Sequence, residues 1–366
     1  MEYRAIGLMS GSSLDGLDIA FVVFTETGGK WEYQIEHTGC LPYPEVWRKR
    51  LAEAILLDAK SYLQLHAAYG HYMGSSVLQF INDHALEHRV QLIVSHGHTV
   101  FHEPALGFTA QLGDGAALAA STGINVVSDL RAMDVALGGQ GAPIVPLGEK
   151  LLFADYPLLL NLGGIANISA ALPDGYIGYD ICPANRVLNQ LAQQKGLEYD
   201  EGGQLASKGF VRDEVLAILN QQAYYTLPYP KSLDNGFGIN TLFPLLQKAN
   251  LSTQDALRTM VEHIVIQLTR NTGRLAQKLS KEKPLQMLVT GGGALNTFLM
   301  ERLQNSLSPL GVTCVVPDEK TVQYKEALIM ALLGLLRWRE SDTVLKSVTG
   351  AKRASIGGAV WMGQDA

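Results

Sequence analysis

The sequence predicts an α/β protein made of two similar units, and three observations carry the prediction. A strand, a glycine-rich turn, two further strands and a helix occur in that order from Tyr3 and again from about Tyr156. The chain is 366 residues long, more than one ordinary domain needs and enough for two sizeable cores. Hydrophobic residues make up 47% and charged residues 17%, the balance of a globular protein with an apolar lean.

In the first unit, residues 3–9, 17–24 and 31–40 are apolar runs set off by glycine turns and read as strands. From 44 to 88 apolar residues fall at helical spacing, as in Trp47, Leu51 and Ile55 and later Leu65 and Met73. Residues 92–100 read as a buried strand ending in polar groups, the kind of strand end at which open α/β sheets bind ligands. The second unit repeats the pattern. Residues 158–162 and 165–169 flank Gly163-Gly164, a turn at Pro173-Asp174-Gly175 leads into a strand over 176–180, and Pro183 starts a helix continued by Val187, Leu188 and Leu191.

The formal net charge of −6 gives no basic footprint for nucleic acid or an anionic membrane. Three widely spaced cysteines, Cys40, Cys182 and Cys314, argue against a disulfide framework and for a reducing compartment. Met1 leads straight into a strand without an export signal, and no apolar run approaches the roughly 18 residues that span a bilayer. The expectation is a cytoplasmic enzyme or binding protein.

Between the first two strands lies Gly11-Ser12-Ser13-Leu14-Asp15-Gly16-Leu17-Asp18. Its glycines admit positive φ and close approach, and its serine hydroxyls and N–H groups are donors suited to a phosphate. Asp15 and Asp18 repel a bare phosphate. The segment therefore reads either as a phosphate turn with a metal ion between acids and anion, or as an acidic, solvent-exposed hairpin. Asn161-Leu162-Gly163-Gly164-Ile165-Ala166-Asn167 is its counterpart in the second unit, a second phosphate turn or a plain hairpin. Val289-Thr290-Gly291-Gly292-Gly293-Ala294-Leu295-Asn296 runs from a strand through three glycines into a helix, either a bare backbone on which a flat group can lie or an ordinary βα turn. It lacks the Gly-x-Gly-x-x-Gly spacing of a dinucleotide site.

Single residues carry the rest. Asp180 ends an apolar strand just before Pro183-Ala184-Asn185, so it reads as a general base beside an anion-holding helix terminus or as that helix's cap. Arg131 reads as a bidentate carboxylate partner or as half of an ion pair with Asp129 or Asp134. His96, His98 and His102 lack a fourth ligand for zinc. Glu326 falls at a helix start, where the dipole favours an acid, and Cys182 reads as a small buried side chain.

These segments also carry a resemblance. The first loop resembles the Gly-Thr-Ser-x-Asp-Gly-x-Asp phosphate loop of the anhydro-N-acetylmuramic acid kinases, within the actin/hexokinase/Hsp70 superfamily of ATPases. Gly178-Tyr179-Asp180-Ile181-Cys182-Pro183-Ala184-Asn185 is similar to the family's Gly-Phe-Asp-x-Gly-Pro-Gly-Asn, with Cys182 and Ala184 in place of two glycines. Ser95-His96-Gly97-His98-Thr99 resembles Ser-His-Gly-Gln-Thr, Ser128-Asp129-Leu130-Arg131 resembles Ala-Asp-Phe-Arg, and Gly138-Gly139-Gln140-Gly141-Ala142-Pro143 and Lys325-Glu326-Ala327 match family text. Lys231-Ser232 is kept, but the Gly-Arg-Glu that normally follows is absent.

The resemblance runs collinearly from Gly7 to about Ala351. It implies an α/β fold of two duplicated actin/hexokinase-like (ribonuclease H-like) domains around a central nucleotide cleft. The first domain is expected over 1–132, with about 337–366 packing back onto it, and the second over 133–336; independently of the resemblance, the glycine density of residues 137–143 makes them the best hinge or linker candidate between the units. The implied activity is ATP-dependent phosphorylation of 1,6-anhydro-N-acetylmuramic acid at O6, coupled to hydrolytic opening of the anhydro ring, by a cytoplasmic homodimer acting in cell-wall sugar recycling. A same-fold kinase for another sugar and a non-catalytic nucleotide-binding regulator are the alternatives. Asp180 and Glu326 are the implied catalytic residues, and His96, Arg131 and Asn185 the substrate residues. ATP falls to Gly11, Ser12, Ser13, Leu14, Asp15, Gly16, Leu17, Asp18, Asn161, Gly163, Gly164, Gly291, Gly292, Gly293 and Asn296, and Mg²⁺ to Asp15 and Asp18.

Overall fold

In the computed structural model, residues 1–11, 14–234, 236–279 and 284–364 are described. The chain forms two compact units, Met1–Phe153 with Tyr324–Ala366, and Ala154–Gln323. The glycine-dense residues 137–143, expected as a hinge, lie inside the first unit. They are tied there by Gly141 N to Asp134 Oδ2 at 2.7 Å, by Gln140 N to Thr349 O at 2.8 Å and by Gly139 N to Asp134 O at 2.9 Å.

The first unit is built on a six-stranded sheet of β1 (Glu2–Ser10), β2 (Gly16–Thr27), β3 (Lys30–Pro42), β4 (Leu92–Ser95), β7 (Val126–Ser128) and β13 (Ala359–Trp361). The strand order is β13-β7-β4-β1-β2-β3. β2 runs antiparallel to β1 and β3, whereas β4 and β7 run parallel to β1. β1 is central, and its Ala5, Ile6 and Leu8 are fully buried. The expected single strand over 92–100 is broken at Gly97, whose φ of 73° ends β4 and starts β5 (His98–Glu103), which pairs with β6 (Phe108–Leu112).

Helix α1 (Ala59–Asp83) is capped by Asp58, which accepts from Lys60 N and Ser61 N, and it buries Leu65, Tyr69, Met73, Val77 and Phe80 at helical spacing. Helix α2 (Gly115–Thr122) can lie close to α1 because Gly70 and Gly74 face it: a Cβ on Gly70 would approach Ala117 Cβ to 2.9 Å.

The second unit is built on β8 (Leu158–Leu162), β9 (Ile165–Leu172), β10 (Gly175–Pro183), β11 (Leu285–Thr290) and β12 (Val312–Val315), in the order β10-β9-β8-β11-β12. β9 is antiparallel to β8 and β10, and β11 and β12 continue parallel to β8. Apart from β13, this is the order and polarity of the first sheet. The duplication read from the sequence is thus present as two copies of one topology, that of the actin/hexokinase-like fold. Helices α3 (Asn185–Gln193), α4 (Thr253–Ala276) and α5 (Thr297–Leu307) belong to this unit, and α4 buries Leu257, Val261, Ile264 and Leu268 in its core. Pro183 closes β10 instead of opening the helix.

Helix α6 (Glu319–Trp338) carries the chain out of the second unit into the first, with a non-helical residue at Tyr324 where the units divide. Glu326 lies two residues after that break, in the first turn of the helical segment that follows it, as the helix-start reading expects.

Candidate active site

In the first unit the expected phosphate loop joins β1 to β2. Leu14 has a φ of 59° and its N–H donates to Gly11 O at 3.3 Å. Ser12 and Ser13 lie outside the described residues. Leu17 is fully buried in the core, so any part it takes in a ligand contact runs through its backbone. Gly16 is required by packing: a Cβ there would approach Leu41 O to 2.6 Å and Cys40 Sγ to 2.7 Å. Ser10, at the base of the loop, receives the Tyr43 hydroxyl at 2.8 Å and bonds His98 Nδ1 at 3.2 Å, and Tyr69 extends this chain through Tyr43 at 2.5 Å. Burial holds His98 down at about 4, so it is neutral there.

Three acids come together beside this loop. Burial raises Asp18 to about 6; the Cys40 hydrogen bond offsets part of that, while the negative charges of Glu326 and Asp15 add to it. Burial also raises Glu326, against the opposing pull of Lys325 and Arg131. Behind Glu326, Lys325 donates to Glu149 at 2.7 Å in a buried ion pair. No group of three or more His, Cys, Asp or Glu among the described residues could by itself hold a metal, so the three histidines make no zinc site.

Arg131 Nε donates to His96 Nε2 at 2.8 Å and its NH1 donates to Gly141 O at 2.5 Å. His96 Nδ1 in turn donates to Gly97 O at 2.9 Å, which fixes the neutral tautomer with its lone pair on Nε2. Burial, reinforced by the Arg131 charge, drives His96 down to about 3. Burial lowers Arg131 to about 10, with Glu326 and Asp134 opposing, so the guanidinium is charged at neutral pH. Arg131 forms no ion pair among the described residues. Asp134 instead takes Gly141 N and the Thr349 hydroxyl at 2.8 Å.

In the second unit Gly163-Gly164 joins β8 to β9, with Leu162 opposite Ala166 and Asn161 opposite Asn167. The helix start expected to hold an anion is otherwise engaged. Ala184 N donates to Gly164 O at 2.9 Å and Asn185 N to Gly163 O at 3.1 Å, so the second turn and α3 satisfy one another. Asn185 Nδ2 donates to Leu162 O at 2.9 Å.

Asp180 lies where β10 bulges between Asp180 and Cys182, and it does not cap α3. Its Oδ2 accepts the Ser232 hydroxyl at 3.0 Å and Leu233 N at 2.9 Å, its N–H reaches Lys231 O at 3.4 Å, and Tyr224 donates to its carbonyl at 2.7 Å. Oδ1 accepts nothing among the described residues. Burial raises the carboxyl above its ordinary value, and the Leu233 and Ser232 hydrogen bonds and the Lys231 charge pull the other way. Cys182 is fully buried and its thiol is raised by that burial, which leaves it inert.

Gly291 has a φ of 81°, and a Cβ there would approach Asn161 Oδ1 to 2.7 Å; one on Gly293 would approach Leu162 Cβ to 2.7 Å. The glycines therefore let β11 turn tightly against the end of β8. Asn296 caps α5 by accepting from Leu299 N at 3.0 Å. A pocket of about 380 Å³ opens beside Gly292 and Gly293, with Leu188, Leu257 and Val261 as its apolar wall and Asn185, Asn189, Glu201 and Asn296 as polar groups. That is the size and lining of a small-molecule site.

A sequence model of the family described as anhydro-N-acetylmuramic acid kinase matches residues 3–363. The chain is 36% identical over 365 residues to the anhydro-N-acetylmuramic acid kinase of Vibrio parahaemolyticus, covering 96% of each protein. It is 34% identical over 380 residues to that of Haemophilus influenzae, covering 97% of each, and 36% identical over 376 residues to that of Zymomonas mobilis, covering 97% and 99%.

The chain belongs to the anhydro-N-acetylmuramic acid kinase family.

The residues matched to the anhydro-N-acetylmuramic acid kinase motifs divide between the units. His96, Arg131, Glu326, Asp15 and Asp18 are in the first; Asp180, Asn185 and the glycine turns at 163–164 and 291–293 are in the second. Ala184 departs from the family glycine and sits at a φ of −131° and a ψ of −106°. The Lys231-Ser232 segment, the poorest match in sequence, is what grips Asp180. Sequence reading missed Leu233, whose contribution is a backbone N–H. It also missed Tyr199, Glu201, Leu257 and Val261 of the pocket beside the triple glycine. The only available signal was the Asp200-Glu201-Gly202-Gly203 turn, because α4 reaches the pocket through tertiary packing. Among the described residues no helix is long and apolar enough to cross a membrane.

Proposed function

We propose that this protein transfers the γ-phosphoryl group of ATP to O6 of 1,6-anhydro-N-acetylmuramic acid while water opens the anhydro bridge. The observation that carries the reading is the setting of Asp180. It is a carboxylate raised by burial, with one oxygen held by two donors and the other accepting nothing among the described residues, within a chain that matches the kinase family over nearly its whole length. A raised carboxylate is better matched to proton abstraction near neutral pH than an ordinary one.

In this scheme Asp180 Oδ1 takes a proton from water as that water attacks C1. The bond from C1 to the bridging oxygen breaks, the freed O6 attacks the γ-phosphorus, and ADP leaves. Each turnover consumes one sugar, one ATP and one water and yields N-acetylmuramic acid 6-phosphate, ADP and a proton. Arg131, charged and in no ion pair among the described residues, pairs with the lactyl carboxylate, and His96 fixes the guanidinium by accepting from Nε. Glu326 helps orient the sugar or the water. The turns at 11–18 and 163–164 hold the phosphates, and the pocket beside Gly292 and Gly293 takes the nucleoside.

Asp15 and Asp18 fit Mg²⁺. They are hard oxygen donors whose mutual repulsion helps raise Asp18, with no lysine or arginine in an ion pair to either among the described residues. Bound there, Mg²⁺ would neutralise phosphate charge. We place the reaction in the cytoplasm and in a homodimer, as the family resemblance implies.

The test is ADP release measured with ATP and a panel of anhydro and plain amino sugars, run in ¹⁸O-water. Turnover with 1,6-anhydro-N-acetylmuramic acid and label at C1–OH of the product is expected. Absence of sugar-dependent ADP release overturns the reading, and unlabelled product overturns the coupled ring opening.

A further inference from the structure

The chain returns past Asp180 over residues 224–233, and the Lys231 side chain in that return has no part in the scheme above. Lys231 precedes Ser232 and Leu233, the two donors to Asp180 Oδ2, and its own carbonyl accepts Asp180 N at 3.4 Å. Its ammonium turns back onto Tyr224, in the short helix Ala223–Thr226. Nζ donates to the Tyr224 carbonyl at 3.3 Å and lies 4.4 Å from the centre of the Tyr224 ring, with the Tyr179 ring 5.9 Å away. Both distances are within the reach of a cation–π contact.

The Tyr224 hydroxyl in turn donates to the Asp180 carbonyl at 2.7 Å. Lys231, Tyr224 and Asp180 therefore form a closed circuit: ammonium to the Tyr224 carbonyl, phenol to the Asp180 carbonyl, and Asp180 N–H to the Lys231 carbonyl. The aromatic floor under the ammonium is itself held. Tyr179 stacks on Tyr229 at 5.5 Å with the rings 10° from parallel, and Lys278, just beyond α4, donates to the Tyr229 hydroxyl at 2.9 Å. A lysine that only covered apolar surface would keep its head in water. Lys231 is half-buried, its ammonium is committed to a ring face and a carbonyl, and it is in no ion pair among the described residues.

The charges around the pair are few. Burial lowers Lys231 from its ordinary value, reinforced by Arg274 of α4 and opposed by Cys182 and Asp180. On Asp180, burial acts against the Leu233 and Ser232 hydrogen bonds and the Lys231 charge. Burial raises Tyr179, Tyr224 and Cys182 alike, so none of these three acquires charge as Asp180 titrates.

We infer that Lys231 is a positioning residue for the base of the proposed kinase: its ammonium closes the return segment over Tyr224, which holds Asp180 in place, and sets a cation beside the Asp180 carboxylate. The inference rests on the kinase reading for the role of Asp180, and on the contacts alone for the coupling of Asp180 to Lys231.

Two measurements on the full-length protein test it. Lys231→Met keeps the stem and removes the charge, whereas Lys231→Arg keeps a cation that can lie on Tyr224. With ATP and 1,6-anhydro-N-acetylmuramic acid, Lys231→Met is expected to lower kcat near neutral pH by about tenfold, short of the roughly 10²–10⁴ that losing the base costs. The acid limb of its kcat/KM profile is expected to move to higher pH, since a carboxyl that loses a neighbouring cation holds its proton longer. Lys231→Arg is expected to leave the limb where wild type has it. A slower Lys231→Met enzyme whose limb stays in place overturns the inference, because a side chain that only packs the return segment would give that result. The second measurement needs no activity. Denaturant unfolding at pH 8 compares Lys231→Met in the wild-type and Asp180→Asn backgrounds. The loss of stability is expected to be greater where Asp180 is present, and equal losses overturn the coupling. Normal wild-type turnover with equal losses sinks the pair and leaves the kinase reading standing. Unequal losses in a protein without sugar-dependent ADP release do the reverse.

Discussion

Arg131 and His96 form a directed pair in which the guanidinium Nε donates to an imidazole nitrogen that is held neutral and acceptor-ready by the bond from Nδ1 to Gly97 O. A histidine partner orients an arginine without cancelling its charge, which an aspartate in the same place would do. The arrangement costs His96 its titration, and it leaves Arg131 a fixed cation in a partly buried setting.

Arg131→Ala should therefore discriminate between sugars. Removing a charge-assisted pair costs about 1.5–3 kcal/mol, so kcat/KM for 1,6-anhydro-N-acetylmuramic acid should fall by roughly 10- to 100-fold. The analogue without the lactyl group should lose far less. Equal losses for both sugars in steady-state assays would make Arg131 structural.

Asp180→Asn should keep the fold and nucleotide binding and lower kcat by about 10²–10⁴, the usual cost of losing a general base. Ser232→Ala probes the same carboxylate more gently, since Ser232 is exposed and its hydroxyl opposes the burial that raises Asp180. Without it the Asp180 pKa rises further, so the acid limb of the kcat/KM profile should move to higher pH. A profile that stays in place while the rate drops would show that Ser232 acts elsewhere.

The duplicated topology was legible because strand, glycine turn and strand recur in local sequence, and hairpins are local events. The glycine turns at 163–164 and 291–293 were legible for the same reason. What escaped were relationships set by distant packing. Residues 137–143 look like a linker, yet Asp134 and Thr349 bind them into the first unit. The start of α3 looks like an anion site, yet the carbonyls of Gly163 and Gly164 take its donors. Asp180 reads as a general base or as a helix cap, and only the return of the chain at Ser232 and Leu233 gives its carboxylate two partners. No periodicity encodes such returns.

Gly7→Ala should destabilise the first unit although Gly7 touches no proposed ligand. It lies in the central strand β1, and a Cβ there would run into the Ala327 carbonyl of α6. Backbone cannot be repacked like a side chain, so the overpacking cost of about 1–3 kcal/mol applies and α6 must shift, carrying Glu326 with it. Denaturant melts should show the loss and kcat should fall with it. Wild-type stability in the variant would mean that α6 and β1 are not in register as described.

Asp18→Asn gives the pH test. Burial, with help from Glu326 and Asp15, places the folded pKa at about 6 against the 3.8 of an ordinary aspartate, so between these values the native state binds more protons than the unfolded chain. Stability should then fall as pH rises through that window, the reverse of an ordinary salt-bridged aspartate. The asparagine variant lacks this penalty. Its apparent melting temperature without ligands should exceed that of wild type at pH 8, and the difference should shrink towards pH 4. Adding Mg²⁺ with a nonhydrolysable ATP analogue at pH 8 should raise the wild-type melting temperature more than the variant's, because the charge that destabilises the free protein is the one proposed to bind the cation. Parallel melting curves across pH 4 to 8, with equal ligand shifts, would remove Asp18 from both roles.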